Sequence, residues 1–158
     1  MMADAMTPEA IRAAIAADEA LQALVPDTAA LAAALSVGRT RLTERLITER
    51  RILSALGVIA GAAFLDALDA FIKQPLAPEH PLAPYHSGIT RAVGWLKTNE
   101  GIDIGDPASQ AMVQALAAAG VVDAQSAATV MALAVVPDPV AEFDVRRALF
   151  ADDGTLLL

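Results

Sequence analysis

The sequence predicts an all-α protein, a compact bundle of about seven short helices with a Pro-rich linker near the middle and a short extended C-terminal tail. Three observations carry that expectation. Apolar residues recur at spacings of three and four, as a helix requires. Thr or Asp, often followed by Pro or an acidic residue, repeatedly opens segments that Gly or Pro closes. The 56% hydrophobic fraction is carried by Ala, Leu and Val with 4% aromatics, and such small side chains let helices approach closely but give thin cores.

The first helix begins at Thr7, whose hydroxyl can cap, with Pro8 and Glu9 in its first turn and Ile11 and Ile15 on its apolar stripe. A short helix from Glu19 to Leu24 stops at Pro26, and Asp27 caps another through Leu31 and Leu35 that Gly38 ends. Next comes RTRLTERLI, Arg39 to Ile47, where Thr40 and Thr43 are β-branched; helix and extended connector are both compatible with the pattern. Thr48 and Glu49 read as a new cap before Ile52, Leu53, Leu56 and the stop at Gly57. The segment Ile59 to Ile72, with Phe64, Leu68 and Phe71 on one face, is the expected central helix.

Residues 75–85 hold four prolines between Pro75 and Pro84, so this stretch is expected to run over the surface as polyproline II. It divides the single 158-residue domain into an N-terminal part, 1–74, and a C-terminal part, 86–158. Ser87 is expected to cap a helix with Ile89, Val93, Trp95 and Leu96; Asp106-Pro107, Asp123 and Asp138-Pro139 open three more. Asp153-Gly154 makes a tight turn before Leu156, Leu157 and Leu158, an apolar end that its own fold or a neighbour must cover.

Charge is distributed unevenly. Arg39, Arg41, Arg45, Arg50 and Arg51 against Glu44 and Glu49 give residues 39–51 a net +3, so the other 145 residues carry −11 of the total −8. Such polarity suits head-to-tail or hetero-partner contacts. Arginine pairs with carboxylates through two parallel bonds, which makes a protein partner a better fit than nucleic acid for a chain of pI near 4.5 without interleaved aromatics. The competing reading is that these arginines bridge to acids of their own fold.

Other chemistry finds little support. With no cysteines, disulfides and thiolate sites are excluded. Asp4 and Glu9 stand where a signal peptide needs positive charge, and the fourteen uncharged residues from Ile52 to Leu65 fall short of a membrane span even though Gly57 and Gly61 form GxxxG. His80 and His86 with Glu79 and Tyr85 would gather a metal only if a Pro-bounded loop aimed them together, and Asp66 with Asp69 reads better as helix surface than as a carboxylate pair. GIDIGD would repel phosphate, and neither Ser54 nor Ser87 sits in a nucleophile elbow. No catalytic, cofactor-binding or metal-ligating residue is assigned, and the chain is expected not to be an enzyme.

The stretches GRTRLTERLITERRILSALG with VIAGAAFLDALD, and AAAGVVDAQSAATVMALAVVPDPV, together 56 of the 158 residues, resemble small structural proteins of tailed bacteriophages. The departure is at ITERRIL, where that pattern has a Gly-rich turn. The resemblance implies a virion component at the head-tail connector, tail or capsid, assembled in the host cytoplasm. Its partners would be other virion proteins or copies of itself, with no nucleic acid and no membrane. The partner-binding residues are expected to be Arg39, Arg41, Arg45, Arg50, Arg51, Leu156, Leu157 and Leu158. The rival expectation is a soluble helical adaptor or regulator of a bacterial cell.

Overall fold

The computed structural model describes residues 6–158, and over these the chain is mostly helical. In chain order the elements are α1 (Pro8–Ala17), α2 (Glu19–Gln22), α3 (Thr28–Ser36), β1 (Thr40–Leu42), β2 (Leu46–Ile47), α4 (Glu49–Leu56), α5 (Val58–Lys73), α6 (His86–Leu96), β3 (Ile102–Asp103), α7 (Pro107–Ala118), α8 (Ala124–Ala132), β4 (Val135–Pro137) and α9 (Glu142–Leu149). The strands form two two-stranded sheets, β1 with β4 and β2 with β3. An all-α reading therefore needs correction in detail: there are nine α-helices among the described residues, and the segment that was open between helix and connector is extended. Its β-branched threonines suit a strand, and its backbone finds partners far along the chain.

Two compact units result, one formed by Leu42–Val135 and the other by residues 6–41 with Val136–Leu158. The boundary thus falls in β1 and β4 and not at residues 75–85, as the proline content suggests. Those residues do not form a polyproline II linker either. They make successive turns, with His80 N–H donating to Ala77 O at 2.9 Å and Ala83 N–H to His80 O at 2.9 Å, and end in a 3-10 turn at Ala83–Tyr85. The reason is Leu82, only 2% exposed and part of the same core as Phe71 and Ile89, which anchors the segment.

In the Leu42–Val135 unit, α4 and α5 form a hairpin broken at Gly57, whose φ of 83° a side chain would resist. Phe64, Leu68 and Phe71 of α5 enter a core with Ile52, Ile89, Val93, Leu96, Ile104, Val113, Leu116 and Val130. β2 and β3 pair antiparallel, Leu46 opposite Asp103 and Ile47 opposite Ile102. Asp106 and Asp123 cap α7 and α8 as expected, accepting from Ala108 N at 3.1 Å and Ser126 N at 2.8 Å. Ser87 does not cap α6. That helix starts at His86 directly from the 3-10 turn, in which the Ala83 carbonyl already accepts the His86 N–H.

In the other unit, α1 and α3 pack on α9, burying Ile11, Ile15, Leu31, Val145 and Leu149 completely. Thr28 Oγ1 donates to Glu142 Oε1 at 2.7 Å and ties α3 to α9. The expected start of this last helix at Asp138-Pro139 is also corrected, to Glu142. The Asp138 carboxylate is taken by arginines, and Val140 is buried with its N–H donating to Ser36 Oγ at 2.9 Å, so residues 138–140 stay non-helical. The C-terminal residues turn at Asp153-Gly154 and return as a hairpin, Phe150 bridging Leu156, with Leu157 N–H donating to Leu149 O at 2.7 Å.

Candidate interaction surface

The arginine segment is divided by its surroundings. Arg39 forms an ion pair with Asp138 Oδ2 and also donates from Nε to Asp138 O at 3.3 Å, while Arg41 Nε lies 4.0 Å from Asp138 Oδ1. These two arginines are engaged by a carboxylate of their own chain. Arg45, Arg50 and Arg51 differ: all three are exposed, and none forms an ion pair among the described residues.

Arg45 stands on a fixed backbone. Its N–H donates to Asp103 Oδ1 at 2.7 Å, and its carbonyl accepts from Ile104 N–H at 3.0 Å, so the side chain leaves from a segment held at both peptide groups. Gly105, buried beside this link, leaves the Thr43 carbonyl so close that a Cβ would sit 1.8 Å from it. Arg50 and Arg51 occupy the first turn of α4, capped by Thr48 Oγ1 accepting from Arg51 N at 3.4 Å. A cation there opposes the helix dipole by a few tenths of a kcal/mol. Glu49 in the same turn offsets part of that cost, so the two arginines leave one net positive charge at the helix start.

Lys97 Nζ donates to Asp69 Oδ1 at 2.8 Å, and that hydrogen bond, with the fields of Asp69 and Glu49, raises the lysine above its ordinary value despite some desolvation. Asp66 is exposed, so the two aspartates face different surroundings. His80 and His86 both pack on the Phe71 ring, at centroid distances of 6.3 and 5.5 Å, which explains their placement without a ligand. Among the described residues no three His, Cys, Asp or Glu side chains gather as metal ligands would, and no helix is long and apolar enough to cross a membrane.

The C-terminal leucines are half-covered by their hairpin: Leu156, Leu157 and Leu158 are 43%, 47% and 50% exposed. Further exposed apolar groups escaped the sequence reading. Val58 and Ile59 open α5 facing solvent, and Tyr85, Trp95 and Phe143 are each more than half exposed. For Phe143 and Trp95 the helical period placed an apolar residue on a face that the fold leaves uncovered. No protein-family model, curated protein or solved structure matches the chain.

Proposed function

We propose that this chain is a non-enzymatic assembly subunit that works through protein-protein contacts and that, following its resemblance to tailed-phage structural proteins, the assembly is a virion at the connector, tail or capsid. The observation that carries the reading is the group of three exposed guanidinium groups, Arg45, Arg50 and Arg51, on an otherwise acidic chain, with no carboxylate of the described residues paired to them. Opposite charge steers and registers two surfaces, and burial of apolar side chains adds the non-directional part. Covering the exposed halves of Leu156, Leu157 and Leu158 would contribute about 2–4 kcal/mol before the cost of association.

Charge reversal at Arg45 and Arg50 is the test, with removal of the last three residues as its companion. The double reversal should abolish association in sedimentation while leaving the helical circular dichroism unchanged, and the truncation should weaken association. Normal assembly by the double variant rejects the electrostatic contact. A concentration-independent monomer for the natural chain favours instead a soluble helical adaptor or regulator.

A further inference from the structure

We propose that the groove between α6 and α7 is a docking site for α9 of a second copy of this chain, with Phe143 as the anchor. The groove has a volume of about 440 Å³ at its Tyr85 end and continues through a space of about 400 Å³ toward Trp95, the two parts sharing Gly88, Ala108 and Met112 as floor. Tyr85 and Trp95 stand 60% and 54% exposed at its two ends, the arrangement of aromatic walls around a buried anchor.

Gly88 and Gly94 are features of α6 that the unit itself does not explain, and of the two Gly88 lines the groove. It lies inside α6 without a positive φ, and a Cβ added there meets no atom within 4 Å. A glycine within a helix is destabilising relative to alanine, so nothing in this unit is gained by it. Something seated closely on α6 would be. The groove also has a charge: its polar lining includes Asp103 and Asp106, each held in place through Oδ1, the first by Arg45 N and Gly105 N and the second by Ala108 N. The second oxygen of each forms no hydrogen bond among the described residues, so two carboxylates are pre-positioned with accepting capacity to spare.

The complement exists on the same chain. Phe143 is 65% exposed on α9, the Arg147 guanidinium lies 5.7 Å from the centre of its ring, and Arg146 is exposed beside it with a loose 3.9 Å contact to Glu142. An aromatic ring with the Arg147 cation over it, and Arg146 on the same helix, fits an apolar groove bordered by two carboxylates. Because each copy carries one groove and one α9, the contact is heterologous and propagates into rings or rows. It uses residues other than the arginine contact above and does not rest on it.

The experiment uses the full chain in two variants and their mixture. Gly88→Leu fills the groove, and Phe143→Ala removes the anchor; both positions are exposed, and circular dichroism checks that both variants fold. Sedimentation of the natural chain into the high micromolar range should show growing species, each variant should lose association at least about tenfold, and an equimolar mixture should recover a single 1:1 pair that grows no further, since one variant keeps the groove and the other keeps the anchor. Association of either folded variant at the natural strength overturns the groove, as does a natural chain that stays monomeric. If Arg45→Glu with Arg50→Glu abolishes assembly while Gly88→Leu and Phe143→Ala do not, the groove is rejected and the arginine contact stands.

Discussion

Alanine at Gly105 and alanine at Gly88 should move stability in opposite directions, and the reason is readable in distances. At Gly105 the new Cβ would lie 1.8 Å from the Thr43 carbonyl oxygen and 2.6 Å from its carbon, both backbone atoms. Restoring ordinary van der Waals contact requires a retreat of about 1.5 Å. Thr43 is not free to make it, because its N–H donates to Ala134 O at 2.9 Å, and two residues on, Arg45 is tied to Asp103 and Ile104 at 2.7 and 3.0 Å. Overpacking costs roughly 1–3 kcal/mol, and losing two of these hydrogen bonds about 1 kcal/mol each, so Gly105→Ala should cost about 3–5 kcal/mol. At Gly88 the same methyl meets nothing, and removal of a helical glycine should stabilise by up to about 1 kcal/mol. Both positions belong to the Leu42–Val135 unit, and so does Trp95, the chain's single tryptophan, so its fluorescence in urea follows this unit alone. A Gly105→Ala stability within about 0.5 kcal/mol of the natural chain would refute the argument, since it would mean that the segment carrying Thr43 and Arg45 yields without resistance.

Two further outcomes follow from the ion pairs and caps. Asp138→Ala should destabilise by about 1–2 kcal/mol, discounted for the partial exposure of Arg39 and Arg41, and a urea midpoint equal to that of the natural chain would show the pairs to be idle. The Asp123 carboxyl is held below its ordinary 3.8, chiefly by accepting the Ser126 N–H, so its contribution is present above that value and lost as the pH falls through the lower folded value. Asp123→Asn keeps a capping oxygen but no titration. The difference in thermal midpoint between the two proteins should therefore be constant near neutrality and change below about pH 4, and a difference flat through that range would contradict the cap's role.

The candidate surface was legible in part. The arginine cluster stands out by composition, but which of its members face solvent depends on Asp138, some 99 residues from Arg39. A carboxylate that read as a helix cap instead binds guanidinium groups, and nothing near it in the chain announces this. The groove was not legible at all, because its floor of Gly88, Ala108 and Met112 comes from two helices whose placement side by side no local pattern specifies. Gly88 offered a hint that it shares with Gly94, a glycine within a helical pattern without a turn to make.

What the sequence determined by itself is the set of local structures. Thr7, Asp27, Thr48, Asp106 and Asp123 each cap the helix that their position implies, and Ile11, Ile15, Phe64, Leu68 and Phe71 are buried on the faces that their spacing implies. A cap or a helical stripe is settled by groups within four residues, so neighbours in the chain encode it. Tertiary structure alone decided the rest. Whether residues 40–47 became helix or strand turned on the presence of β3 and β4 to receive their peptide groups, and the division into two units turned on which distant apolar faces met. Those choices are made by backbone pairing and burial between segments 50 to 100 residues apart, where the local sequence carries the capacity for a contact but not the identity of its partner.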